Sequence, residues 1–274
     1  MSEISGTDTN SKLLQLNRLL KELGKAAVAY SGGVDSTFLL KVAHNQLGIN
    51  TIGIYVDSPL QPSSEKEEAI KMANSIGAGN YIVQINPLVK EEFRKNPQDR
   101  CYFCKRFIFG EIISTAKEKG FSNVVDGSNH DDKNDYRPGK RALKEYGIRS
   151  PLQEVGLTKE EIRKLSRELK LPTWDKDAYA CLASRIPFNS EITEERLNQI
   201  DETEKILIGL GYHKVRARFF GSKVKIEVRS DQIKKLRKDL KSEQIQNAIY
   251  KIGFTGIMVD PLGYRQGSLN KPNQ

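Results

Sequence analysis

Six consecutive residues, Ser31-Gly32-Gly33-Val34-Asp35-Ser36, have the types needed to hold a run of phosphates. Glycines let the backbone turn tightly enough for successive amide N–H groups, and the amino terminus of a following helix, to face one anion. The hydroxyls of Ser31 and Ser36 add two donors, and Asp35 is a natural partner for Mg2+, which favours carboxylate together with phosphate oxygens. The string lacks the Gly-Lys-Ser/Thr ending of a Walker A loop. A glycine-rich turn without a ligand is the plainer alternative. Two more polar clusters, Asp57-Ser58 and Asp126-Gly127-Ser128-Asn129, each follow an apolar run, and either touch a nucleotide or only cap their turns. Gly127 suits a point where adenine or ribose comes close to the backbone.

Three cysteines carry the other chemistry. Cys101 and Cys104 form a Cys-x-x-Cys near an expected helix start, where the dipole favours thiolate, and Cys181 lies in a segment without periodicity. An odd number in a long chain argues against a disulfide framework. Four readings stay open: zinc with His130 or His213 as a further ligand, a redox dithiol, three buried thiols, or a 4Fe-4S cluster whose fourth iron is open to sulfide. Spacing alone does not choose among them. Arg216 and Arg218 stand two apart in an expected strand and so share a face. Guanidinium forks there suit a phosphate, the alternative being solvent-facing charge on an edge strand.

The elements that must position these residues follow from pattern. Leucines from Leu13 to Leu23 recur at helical spacing after a tail over 1–10 that is expected to be flexible. Short β-rich runs at Lys25 to Tyr30, Thr51 to Val56, Tyr81 to Ile85 and Asn123 to Asp126 alternate with helical stretches, one opened by a possible capping box at Ser64 and Glu67. Alternation of this kind implies a parallel sheet covered on both faces, with ligands at the carboxyl ends of its strands. Thr158 and Glu161 read as a second capping box. After the aperiodic stretch from Asp175 to Asn189, the order changes to a helix from Glu194, two strands, a helix from Asp231 and a last strand at Thr255 to Val259. The fold class is therefore α/β, a Rossmann-like parallel sheet with a smaller α+β carboxyl-terminal domain. The expected domains are 11–186 and 187–274.

The chain has 274 residues and a formal net charge of +9, which favours anionic partners: a nucleotide, or nucleic acid bound through a basic surface. No apolar run approaches a bilayer crossing, and the polar start has no secretory pattern, so a cytoplasmic enzyme without a membrane partner is expected.

The Ser-Gly-Gly-x-Asp-Ser string resembles the pyrophosphate loop of the ATP pyrophosphatases, which split ATP between its α and β phosphates and adenylate an acceptor. Further strings extend the likeness: Cys101-Tyr102-Phe103-Cys104, Gly127-Ser128-Asn129, Asp135-Tyr136-Arg137-Pro138-Gly139, Trp174-Asp175-Lys176, Cys181-Leu182-Ala183-Ser184-Arg185-Ile186-Pro187, Val215-Arg216-Ala217-Arg218 and Gly263 to Asn270. Together they resemble the LarE family of ATP-dependent sulfur transferases, from about Leu13 to Asn270. One departure is Asp177-Ala178-Tyr179-Ala180, where the family often has proline.

The resemblance implies an adenylated carboxylate of pyridinium-3,5-biscarboxylic acid mononucleotide that becomes a thiocarboxylate on the way to a nickel-pincer cofactor. It implies ATP, Mg2+ at Asp35, and a 4Fe-4S cluster on Cys101, Cys104 and Cys181, since members with one cysteine instead sacrifice its sulfur. In the family the arginines matching Arg216 and Arg218 bind a phosphate, with an acidic residue best matched by Asp231. Ser184 and Arg185 are placed to orient the acyl-adenylate, and Lys176 has similar standing. Sulfide or a sulfur donor is the expected partner, in a homo-oligomer. A tRNA-thiolating enzyme with the same loop and cysteines is the leading rival, disfavoured because no RNA-binding module is recognisable, and a non-catalytic zinc- or cluster-bearing binding protein that keeps the loop as a scaffold is the other, against which the intact Ser31, Asp35 and Ser36 weigh.

Overall fold

The computed structural model describes residues 3–134, 138–177 and 180–265. Asp135-Tyr136-Arg137, Ala178-Tyr179 and the stretch from Gln266 to Asn270, all of which figure in the resemblance, lie outside the described residues. The chain forms two compact units. One takes Met1–Ser58, Ser64–Pro87 and Asp99–Tyr179, and the other Pro59–Ser63, Leu88–Gln98 and Ala180–Gln274.

In chain order the elements are α1 (Glu3–Leu23), β1 (Ala26–Tyr30), α2 (Val34–Leu47), β2 (Thr51–Asp57), α3 (Ser64–Ile76), β3 (Gly79–Gln84), α4 (Glu91–Arg94), α5 (Arg100–Glu118) and β4 (Val124–Val125). Then follow α6 (Gly139–Glu145), α7 (Pro151–Glu154), α8 (Lys159–Glu168), α9 (Glu194–Gly209), β5 (Arg216–Phe220), β6 (Lys223–Glu227), α10 (Ile233–Asp239), α11 (Glu243–Lys251) and β7 (Gly256–Val259).

In the first unit β1 is apolar along its whole length because it sits inside a parallel sheet of order β3-β2-β1-β4, buried on both faces. Its period of two divides it between two cores. Ala26, Val28 and Tyr30 pack with Leu16, Leu20, Phe38, Leu39 and Leu165, while Ala27 joins Ile54, Phe109 and Ile112 on the other face. The chain leaves β1 for β2 on one side and returns through α5 to β4 on the other, so the strand order reverses beside β1. Open α/β sheets bind their ligands at such a reversal, and here it brings the segments following β1 and β4 together.

The capping box at Thr158 is present: its hydroxyl accepts from Glu161 N, and the Glu161 carboxylate accepts from Thr158 N at 2.8 Å. Ser64 is the first residue of α3 rather than the residue before it. Helix α1 begins at Glu3, ten residues ahead of the leucine repeat, so it runs into the tail expected to be flexible. Polar contacts explain the extension, because Thr9 Oγ1 and Lys12 Nζ both reach Glu161 Oε1 at the start of α8, at 3.1 and 2.8 Å.

In the second unit β5 and β6 form an antiparallel hairpin turned at Gly221, whose φ is 65°, and β7 pairs with β6 in parallel. Leu197, Ile200 and Leu207 of α9, Ala217, Val224 and Ile226 of the sheet, Leu236 and Ile249 are buried. The short helices α4 and α11 carry no apolar repeat long enough to read from sequence. Among the described residues no helix is long and apolar enough to cross a membrane.

Candidate functional site

Three residues separate β1 from α2. Gly32 turns the chain with a φ of 73°, and a Cβ there would lie 2.6 Å from the Ala69 Cβ of α3, so neither the conformation nor the space suits a side chain. Ser36 Oγ accepts from Ser31 N at 3.2 Å, lies 3.0 Å from Ser31 Oγ and donates to Gly33 O at 3.3 Å. These bonds fold the loop over the first turn of α2, whose leading N–H groups have no acceptor within the helix. The result is a backbone cradle for an anion at a helix amino terminus.

The segment after β4 leans on this cradle. A Cβ on Gly127 would lie 2.9 Å from Ser36 N and 3.1 Å from Ser36 Cα. The close approach that Gly127 permits is therefore to the loop backbone itself, where the sequence suggested adenine or ribose. Asp126, buried beside it, accepts from Ser128 N (3.3 Å), Ser128 Oγ (2.6 Å) and Ser150 Oγ (2.5 Å), which makes it the organiser of the segment. At the end of β2, Asp57 pairs with Lys66 at 2.5 Å, and Ser58 is buried. Lys176 Nζ bridges Glu65 and Glu68 of α3 at 2.8 and 3.0 Å. Burial opposes its charge, but these two carboxylates outweigh that and hold its pKa above the ordinary lysine value.

Asp35 sits on the first turn of α2. Its Oδ2 accepts from Lys159 Nζ at 2.7 Å, while its buried Oδ1 has no partner among the described residues. Burial raises its pKa above the usual carboxylate range, against the opposing charge of Lys159. A buried acceptor left unsatisfied is costly, and a cation or a hydrogen-bond donor would satisfy it. The donor chemistry at Asp35 thus fits Mg2+. Lys159 was not singled out from sequence. Its only signal is its place directly after the Thr158 cap, at the start of α8.

Cys101 is exposed and Cys104 half-buried at the amino-terminal end of α5, and Cys181 is exposed just before a turn of 3-10 helix at Leu182–Arg185. None of the three is in a disulfide. Cys101 and Cys104 belong to the first unit and Cys181 to the second. Among the described residues no three His, Cys, Asp or Glu side chains are grouped as a ready metal site, with or without His130 and His213. As a donor set, thiols outside disulfides with two of them one helical turn apart suit a thiophilic metal, zinc as well as iron.

In the second unit the arginines turn inward. Arg185 has no exposed surface: Nε and Nη2 bind the two oxygens of Glu204, each at 2.9 Å, and Nη1 donates to the carbonyls of Ala180 and Cys181 and to Ser184 Oγ. Its guanidinium is spent within the protein, so it holds the Cys181 loop rather than an acyl-adenylate. Arg218 Nε and Nη2 reach Glu227 Oε2 at 3.0 Å, and its Nη1 donates to Ser184 O at 2.7 Å. Arg216 donates to Val215 O at 2.8 Å and lies 5.2 Å from the centre of the Tyr264 ring. Burial, then the charge of Arg185, lowers its pKa. Both arginines of β5 are buried, so they are not the solvent-facing charges of an edge strand. Asp231 is exposed and pairs with Arg229 at 3.1 Å, whereas the carboxylate facing β5 is Glu227, in register with Arg216.

Residues 12–106 match the family described as NAD synthase. The chain is 41% identical over 261 residues to the uncharacterized protein slr1717 of Synechocystis sp., covering 95% of this chain and 97% of that one. It is 32% identical over 261 residues to the pyridinium-3,5-bisthiocarboxylic acid mononucleotide synthase of Lactiplantibacillus plantarum, covering 95% and 94%. A likeness of 28% over 214 residues, 67% of this chain and 64% of the other, links it to one chain of the glutamine-hydrolysing GMP synthase of Archaeoglobus fulgidus.

Proposed function

From its place in the LarE family, to which the chain belongs within the PP-loop enzymes, we propose that it is an ATP-dependent sulfur transferase acting on pyridinium-3,5-biscarboxylic acid mononucleotide. A substrate carboxylate attacks the α phosphorus of ATP, the bond to the β-phosphate oxygen breaks, and pyrophosphate leaves. A sulfur nucleophile then attacks the acyl carbon, and AMP departs with one substrate oxygen. The observation that carries the reading is the Ser31 to Ser36 cradle with Asp35 beside it.

The loop's amides and helix end hold the departing pyrophosphate, where fixed dipoles stabilise developing charge without reorganising. Lys159 Nζ lies 2.7 Å from Asp35 Oδ2 and supplies a second cation at the same place. Mg2+ at Asp35 would neutralise phosphate charge when bound. Arg216, a buried cation for which the described residues provide no carboxylate ion pair, receives the phosphate of the substrate. Cys101, Cys104 and Cys181 would hold the 4Fe-4S cluster, whose open iron would supply hydrosulfide as a nucleophile. Arg185 keeps the Cys181 backbone in one conformation throughout.

The test is product analysis with substrate labelled by 18O in its carboxylates, together with ATP, Mg2+ and sulfide under anaerobic conditions. AMP carrying the label, with pyrophosphate, is the expected outcome. ADP with inorganic phosphate would reject the assignment.

A further inference from the structure

We infer that Tyr102 is a positioning residue for the two thiols beside it: Glu145 and Arg141 of α6 hold its hydroxyl and ring, which pins the first turn of α5 and keeps Cys101 and Cys104 on one face, within reach of a single metal ion. The use of the pair for a metal rests on the cluster reading above, and the pinning does not.

Two thiols three positions apart share a helix face, with Cβ atoms about 5–6 Å apart, only while the turn that carries them is helical. That turn is the first of α5, where the leading N–H groups have no acceptor within the helix. Helix ends fray unless something holds them. Asp99, directly before α5, is a residue type that caps well, yet its side chain makes no capping bond. The tie is tertiary instead. Tyr102 stands between the cysteines in sequence, and the helical step of about 100° turns it off the face they share. It is buried, whereas Cys101 is exposed.

Tyr102 Oη donates to the Glu145 carboxylate, 2.9 Å from Oε2 and 3.2 Å from Oε1. Arg141 Nε reaches Glu145 Oε1 at 2.8 Å, and its guanidinium carbon lies 4.3 Å from the centre of the Tyr102 ring. Each of the three side chains therefore touches the other two. Arg141 and Glu145 are exposed and one turn apart on α6, so their ion pair by itself adds little to global stability. Its effect is local: it orients the acceptor and covers the ring. Helix α6 serves as a fixed post because Leu143 packs in the same core as Phe109 and Ile112 of α5. Gly139, its first residue, meets the stem of Lys105, the neighbour of Cys104, so closely that a Cβ there would lie 2.5 Å from Lys105 Cδ.

The probe is phenylarsine oxide, whose arsenic binds two thiols with loss of one water and so reports whether they stay close. It is applied to the full chain carrying Cys181→Ser, which leaves only the pair. Tyr102→Phe, which removes the hydroxyl and keeps the ring, is expected to weaken arsenical binding by about tenfold and to speed iodoacetamide alkylation of Cys101 by about threefold, because the first turn opens more often. Glu145→Gln, which keeps an acceptor, is expected to hold most of the affinity lost in Glu145→Ala, and Tyr102→Phe combined with Glu145→Ala to lose no more than the weaker single variant. Tyr212→Phe is the control: it deletes a hydroxyl–carboxylate bond of 2.7 Å to Asp239 in the second unit and should leave arsenical binding unchanged. Unchanged affinity in Tyr102→Phe, an equal loss in Tyr212→Phe, or a parent chain that does not take one arsenic across both thiols overturns the assignment. Iron is measured separately after anaerobic reconstitution of the protein with all three cysteines. A chain that takes up none rejects the cluster reading, and the arsenical still decides the role of Tyr102.

Discussion

Replacing Gly127 by alanine adds one methyl group at the contact between the segment after β4 and the phosphate loop. The new Cβ would lie 2.9 Å from Ser36 N, 3.1 Å from Ser36 Cα and 3.3 Å from Asp35 C, all backbone atoms that cannot rotate away. Gly127 does not have the positive φ that glycine favours, so the penalty is steric alone. Unstrained contacts between such atoms need about 3.5–4.0 Å, so the loop must recede by roughly half an ångström or more. Overpacking of this kind costs about 1–3 kcal/mol, and a midpoint shift of about 2–4 °C per kcal/mol then lowers the apparent Tm by several degrees. The same displacement moves the amides that hold pyrophosphate, so ATP cleavage should fall more steeply than stability. Gly209→Ala is the control: nothing lies within 4 Å of a Cβ there, and the residue is the last of α9. Thermal melting with AMP release measures both arms. Wild-type melting and wild-type ATP cleavage in Gly127→Ala would refute the packing argument.

Asn96→Ala should lower stability by about 2–3 kcal/mol in urea denaturation, because its Nδ2 donates to the carbonyls of Ile186, Pro187 and Ser190 at 3.3, 2.8 and 2.9 Å. Asn96→Gly should lose less, since glycine suits the φ of 57°, and equal loss in both would remove the backbone part of the explanation. Asp35 has its pKa raised in the folded protein. The native state therefore holds its proton to higher pH than the unfolded chain, and stability falls as pH rises through the window between the two values. Asp35→Asn should melt higher than wild type at pH 7, with the gap closing below the unfolded carboxylate pKa of about 3.9, while ATP cleavage is lost. A lower melting point at pH 7 would contradict this. Cys101→Ser or Cys104→Ser should abolish sulfur transfer with sulfide supplied. Active protein without iron, with dehydroalanine at position 181 by mass spectrometry, would instead establish the sacrificial route.

Local chemistry was legible in the sequence. The turn at Gly32, the capping box at Thr158 and Glu161, and the alternation of strands with helices each depend on residues within a few positions of one another. What escaped has partners far along the chain. Lys159 meets Asp35 across 124 positions, and Asn96 ties down a loop some ninety residues away through a side chain that resembles any loop asparagine. No periodicity marks the segments 59–63 and 88–98 as parts of the second unit.

The arginines of β5 show where spacing stops informing. A period of two gives the face that Arg216 and Arg218 share, but not the carboxylate either fork meets. Register puts Glu227 opposite Arg216, yet Arg218 takes it, because a guanidinium reaches diagonally across a hairpin as readily as straight over. The decision is then electrostatic. With Arg185 closed on Glu204 and Arg218 on Glu227, charge compensation in the cluster stops one carboxylate short, and the deficit falls on the arginine whose pKa burial lowers. The string Val215 to Arg218 marks the pair, but which fork is closed by a carboxylate of the chain itself is settled only by the fold.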